Sequence, residues 1–300
     1  MNEARRKDFI DLIRNASPPL FSSGAPELKA DLAALVYPGV KSPLRGIRAV
    51  LFDIYGTLFT SAAGDIGVDG GYRREALDAL AREYVPGCGG EALTAYFREE
   101  VLQTHARLYP RTPYPEVRVE AIWASLFKGP LSRYAAAGMD TEEFALRYEL
   151  AVNPVFPKPG IRALFEKLKE LRMILGIISN AQFFTPLLFE VFFEKSPEAL
   201  GLDPRLLIYS FEAGEAKPSP VLFKTAADRL RSRGISPDTV LFVGNDMLKD
   251  IYGAASGGFK TALFAGDGRS LRLREGDPLT EKLLPDGIIR CLSDIPAMIG

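Results

Sequence analysis

Two cysteines, Cys88 and Cys291, and one histidine, His105, are all the chain of 300 residues offers in thiol and imidazole groups. Neither cysteine stands in a CxxC pair or beside the histidine, which excludes a disulfide framework and a Cys/His zinc site and fits a reducing compartment. An excess of one charge is missing too. Lys+Arg 37 against Asp+Glu 38 leaves a net charge of -1, so no global field draws the chain to nucleic acid or to an acidic membrane. Any anion it handles must meet a local site. No stretch approaches ~20 uninterrupted apolar residues, the length a membrane-spanning helix needs. The N-terminal "MNEARRKDFIDLIRN" is charged throughout and lacks the apolar core of a secretory signal. The expectation is a cytoplasmic protein acting on a small, anionic molecule, with no nucleic-acid or membrane partner.

What is present is length enough for two domains, since single cores commonly hold ~100 to 200 residues. Residues 1–45 read as an extension of two short amphipathic helices, near 3–14 and 26–36, separated by the breaker "SPPLFSSGAP" and suited to packing on the main body or on a partner. From residue 46 short apolar runs begin: "GIRAVLFD" (46–53), "MILGIIS" (173–179), "LLIYS" (206–210), "VLFVGND" (240–246), "TALFA" (261–265) and a weaker "GIIRCL" (287–292). Such runs, bounded by turn residues, are how strands buried on both faces read. Helical patterns at 159–172, 218–234 and 247–258 lie between them. The alternation predicts an α/β fold, a Rossmann-like parallel sheet with helices on both faces. Residues 70–152 carry helical spacing and no convincing strand, which predicts an all-helical cap domain inserted into a core of 46–69 and 153–300.

In open parallel sheets ligands bind at the carboxyl edge of the strands. Chemistry-bearing residues arrive there in order. "AVLFDIYGTLF" ends its strand on Asp53, the second run ends in Ser179 and Asn180, the third leads through "FEAGEAKPSP" to Lys217, and the fourth ends in Asn245 and Asp246 with Asp250 a helical turn on. Each has an ordinary use: Ser-Asn as a helix cap, Lys217 as a loop charge, Asp250 as a partner of a helix dipole. Independent caps have no reason to converge on one crevice. A carboxylate at a strand tip can attack an electrophile and form a covalent intermediate that water resolves. Further carboxylates nearby repel it unless a cation binds between them, and hard oxygen ligands favour Mg2+. A lysine and a hydroxyl complete a clamp for a dianion such as phosphoryl.

On these motifs the sequence resembles the haloacid dehalogenase-like (HAD) hydrolase superfamily. Its strand followed by DxxGT matches "LFDIYGTLF", its strand ending in Ser or Thr matches "LGIISN", its Lys-Pro matches "EAKPSPVLF", and its spaced acids match "VLFVGNDMLKDIYGA". The resemblance implies Asp53 as nucleophile, Ser179 and Lys217 as its catalytic partners, and Asp53, Asp246, Asp250 and the Tyr55 main-chain carbonyl as metal ligands. Thr57, Asn180 and His105 are the candidate substrate contacts, with His105 alternatively an ordinary helix residue.

The position two after the nucleophile is an acid in the superfamily's phosphatases, where it protonates the leaving alkoxide. Here it is Tyr55, and a phenol with an ordinary pKa of about 10 is a poor proton shuttle near neutrality. Haloacid dehalogenases carry DxYGT, since halide needs no proton. They are, however, metal-independent, and their cap arginine finds no local match around Arg73 and Arg74. The expectation is therefore Mg-dependent hydrolysis of a small phosphorylated metabolite with a good leaving group, such as an acyl phosphate. A metal-independent 2-haloacid dehalogenase is the alternative, and a catalytically silent partner-binding protein the alternative of another class. "GDIGVDGG" (64–71) reads as the hinge into the cap, without the ligand spacing of a calcium loop.

Overall fold

The computed structural model describes residues 1–17, 27–38, 43–61 and 71–300, with side chains from 74 onward in the last stretch. The breaker from residue 18 on and the expected hinge at 64–70 lie outside the described residues, as does the side chain of Arg73; Arg74 is exposed. The chain runs α1 (Glu3–Ala16), α2 (Ala30–Ala33), β1 (Ala49–Phe52), β2 (Phe59–Ser61), α3 (Gly71–Tyr84), α4 (Gly90–Leu108), α5 (Val119–Lys128), α6 (Thr141–Val152) and β3 (Val155–Pro157). It continues with α7 (Ile161–Glu170), β4 (Ile174–Ser179), α8 (Leu187–Phe193), β5 (Leu202–Tyr209), α9 (Ser210–Ala213), α10 (Pro220–Arg231) and β6 (Val240–Gly244). The last elements are α11 (Gly253–Ser256), β7 (Lys260–Phe264), β8 (Gly287–Ile289) and α12 (Ile295–Met298).

Six strands form one sheet in the order β5-β4-β1-β6-β7-β8, every neighbouring pair parallel. β1 is central, and its alternate side chains feed opposite cores. Val50 and Phe52 pack in one with Leu164, Phe165 and Leu168 of α7, while Ala49 and Leu51 join Leu222, Phe223 and Leu230 of α10 in the other. This is why the strand reads as a continuous apolar run: neither face meets water. The expected strand at 206–210 starts earlier, at Leu202, and the segment expected as helix from 247 opens with a π-helical turn, Met247–Tyr252. The helix expected over 26–36 is one turn, Ala30–Ala33.

Residues 71–152 are helical, with their own aromatic core. Trp123 is fully buried, with Phe97 stacked at 4.9 Å and Phe144 edge-on at 4.8 Å. The insert leaves and rejoins the sheet through an antiparallel ribbon of β2 and β3, in which Phe59 pairs with Pro157 and Ser61 with Val155. The ribbon escaped the sequence reading because each strand is three residues long and one holds a proline. α1 buries Phe9 and Ile13, four apart on one face. It packs on both sides of the chain's division: Arg6 pairs with Glu190 of α8, and Arg5 Nη2 lies 2.6 Å from Asp140 and 2.9 Å from Glu142 of the insert. Among the described residues no helix is long and apolar enough to cross a membrane.

Candidate active site

The ladder carries Asp53 just past β1, its N–H donating to the Val243 carbonyl at 2.9 Å. The chain then turns through Gly56, whose φ of 90° suits glycine, and a Cβ there would lie 2.6 Å from Asn245 Nδ2. Glycine is needed twice over, for the turn and for the close approach of Asn245.

Asp53 Oδ1 accepts from Ser179 Oγ at 3.0 Å and from Lys217 Nζ at 2.6 Å. The same ammonium donates to Asp250 Oδ1 at 2.5 Å. Asp250 Oδ2 accepts the N–H groups of Asn245 (2.9 Å) and Asp246 (3.0 Å), so both of its oxygens are occupied. Asp53, Ser179, Lys217 and Asp250 are all buried. Burial works against the ammonium of Lys217, but the charges of Asp250 and Asp53 outweigh it and hold its pKa above the ordinary value. Burial pushes Asp250 up to about 7, against the pull of Lys217 and with the help of the Asp53 charge. Two carboxylates and one ammonium thus share one buried site.

Asn180 donates through Nδ2 to the Lys217 carbonyl (3.3 Å) and accepts the Lys217 N–H at Oδ1 (2.6 Å). Expected as a substrate contact, its side chain holds the lysine's backbone while Asn180 also lines the cavity over Asp53. The Tyr55 hydroxyl lies 2.9 Å from Thr185 Oγ1, and burial drives its pKa far above that of a free phenol. Thr57 Oγ1 donates to Asn245 Oδ1 at 3.0 Å and makes only a 3.5 Å contact with Asp53 Oδ2. Expected as a substrate contact, it spends its hydroxyl on Asn245. His105 is not brought to the nucleophile. It lines a separate cavity with Tyr109, Tyr114, Ala216 and Lys217, and burial lowers its imidazole pKa.

The acidic pair departs from expectation as well. Asp246 is gripped by Arg274, Nη2 to Oδ2 at 2.5 Å, and its Oδ1 caps the following helical turn through the N–H groups of Leu248 (2.9 Å) and Lys249 (3.0 Å). Burial opposes ionisation of Asp246, but Arg274 and these backbone donors hold its pKa below the usual carboxylate range. Neither Asp246 nor Asp250 therefore keeps an oxygen clear of protein partners. Among the described residues no three acidic, histidine or cysteine groups gather as a metal cluster. Asn245 Oδ1, with a single hydrogen bond from Thr57, and Asp53 Oδ2, with only the 3.5 Å contact from the same hydroxyl, carry lighter loads, and the Tyr55 carbonyl is the third oxygen the resemblance names. Magnesium commonly takes one or two carboxylates and completes its shell with water and substrate phosphoryl oxygens, so this set fits it with Asn245 in place of Asp246.

A cavity of about 160 Å³ opens over these groups, with Asp53, Tyr55, Lys217, Asn245, Lys249 and Arg272 in its lining. One feature of the surroundings had no signal in the sequence. Lys158 and Asp267 form a buried ion pair at 2.8 Å, Ser270 Oγ donates to Asp267, and the Ser270 carbonyl accepts Asn245 Nδ2 at 2.6 Å.

The chain belongs to the haloacid dehalogenase-like hydrolases, whose family profile matches residues 47–258. It is similar to the glyceraldehyde 3-phosphate phosphatase of Pyrococcus abyssi (strain GE5 / Orsay), 35% identical over 112 residues, 35% of this chain and 41% of that protein. The match thus spans less than half of the curated relative's length. The fold is that of a HAD phosphatase from Thermococcus onnurineus (23% identity, 85% of this chain and 98% of that one, TM-score 0.52). It is equally that of a 2-haloacid dehalogenase from Pseudomonas syringae pv. Tomato DC3000 (21%, 84% and 97%, TM-score 0.51).

Proposed function

We propose that this hydrolase moves a phosphoryl group from a small anionic metabolite to Asp53 and then to water, with Mg2+ as cofactor and a leaving group that departs without a proton. The observation that carries the reading is the bridge of Lys217 between Asp53 Oδ1 and Asp250, with Ser179 on the same Asp53 oxygen. Such a bridge would orient the carboxylate for attack and offer an ammonium and a hydroxyl to phosphoryl oxygens as they gain charge. The partial match to a phosphatase supports it.

Asp53 attacks phosphorus, the bond from phosphorus to the leaving oxygen breaks, and that oxygen keeps the electron pair as a stable anion such as carboxylate. Water then attacks the aspartyl phosphate at phosphorus; inorganic phosphate leaves, the Asp53 carboxylate is restored, and the proton passes to solvent. Magnesium, when bound at Asp53, the Tyr55 carbonyl and Asn245, would offset the negative charge of the transferring group. Tyr55 does not shuttle protons, since its phenol is buried and bonded to Thr185. General acid–base assistance is worth ~10²- to 10⁴-fold, so simple alkyl phosphates turn over slowly. The helices of 70–152 act as the cap, and the two β2–β3 strands as its root.

A second reading, hydrolysis of a 2-haloacid without metal, is favoured by the neutral Tyr55 and Asn245 beside the nucleophile. One panel separates the two: phosphate release from acetyl phosphate and p-nitrophenyl phosphate, and chloride release from 2-chloropropionate, each with magnesium or chelator. Magnesium-dependent release from acetyl phosphate is expected. Chelator-insensitive chloride release overturns it.

A further inference from the structure

We propose that Lys249 determines specificity by binding a second anionic group, a carboxylate carried on the same small substrate whose phosphoryl end meets Asp53. The inference deepens the phosphoryl-transfer reading and rests on it. Lys249 is half-buried and lines the cavity that holds Asp53. Of the other charges around that cavity, Lys217 lies between Asp53 and Asp250, Arg274 grips Asp246, and the Arg272 guanidinium donates to the carbonyls of Arg269 and Leu271.

Lys249 is different. Its backbone N–H is bonded to Asp246, but among the described residues its ammonium has neither a hydrogen bond nor an ion pair. The carboxylates that act on it do so from a distance. Asp246 is held by Arg274, and Glu116 is turned to Ser210 Oγ (2.5 Å) and to the Val117 N–H (2.9 Å). A half-buried ammonium in the lining of a cavity, with no counter-ion in contact, is completed by an anion on the ligand. At about 160 Å³ the cavity is smaller than the ~300 Å³ at which drug-sized pockets begin, so both anionic ends belong to a short molecule.

The test uses matched non-hydrolysable probes, 3-phosphonopropionate and propylphosphonate, with calorimetry on the full chain in magnesium chloride. The wild type is expected to bind the carboxylated probe about tenfold more tightly. In Lys249→Gln the preference falls to within about twofold, and Lys249→Arg keeps it. Equal binding of both probes by the wild type, or a preference that survives Lys249→Gln, overturns the role of Lys249 while leaving phosphoryl transfer standing. Failure of both probes to bind, or of the bound probe to compete with inorganic phosphate, overturns the phosphoryl-transfer reading and this proposal together.

Discussion

The hydroxyl of Tyr55 lies 2.9 Å from Thr185 Oγ1, at the position where an acid would serve a poor leaving group. Replacing the phenol separates its two consequences. Tyr55→Phe keeps turnover of acetyl phosphate within about threefold and costs about 1 kcal/mol of stability for the lost hydrogen bond. Tyr55→Asp is expected to raise turnover of an alkyl phosphate by about tenfold or more relative to acetyl phosphate. Steady-state rates on the two substrates and a denaturant titration check both.

Asp53→Asn abolishes turnover of every substrate while the protein stays folded by circular dichroism. A phenotype that persists with this variant would mark a partner-binding role in place of chemistry.

Asn245 and Asp246 make opposite predictions. Asn245→Asp adds a charged oxygen to the proposed ligand set and tightens magnesium, read as a lower apparent Kd by calorimetry. Asp246→Asn leaves that Kd within about twofold. It costs about 1 kcal/mol or more of stability, because the helix cap weakens and Arg274 loses its buried partner.

Glu116, from the insert, reaches Ser210 of the core, and burial raises its pKa against the pull of its hydrogen bonds. Because the folded value lies above the unfolded one, its contribution to stability is complete below about pH 4.5 and is lost as pH rises through the raised value. Glu116→Gln should remove that decline, so the gap in Tm between variant and wild type widens in favour of the variant from pH 4.5 upward.

Breaking the buried Lys158–Asp267 pair by Lys158→Met alone is expected to cost about 3–5 kcal/mol, and adding Asp267→Leu to recover much of the loss. Urea unfolding of the single and double variants measures it.

The parallel sheet and the meeting of Asp53, Ser179 and Lys217 were legible because apolar runs mark strands, and parallel strands deliver their ends to one edge. The engagement of Asp246 was not: its carboxylate is taken by Arg274, which arrives from 28 residues away. Asn180 read as a substrate contact from its place at a strand end, and that place did not announce that the Lys217 backbone takes both of its amide groups. Lys158 and Asp267 are 109 residues apart, so nothing local announces them. The helical insert was visible by its spacing, but spacing alone does not tell which helix turns inward, and His105 faces another hollow.

The amino-terminal helix stitches together two parts of the molecule that the catalytic strands do not join, through Arg6 to Glu190 and Arg5 to Asp140 and Glu142. Any outward swing of the insert must therefore carry this helix along or tear it from one of its seats. Since the Arg5 contacts are partly exposed and weaken with ionic strength, the hold of this helix on the insert is a salt-dependent quantity.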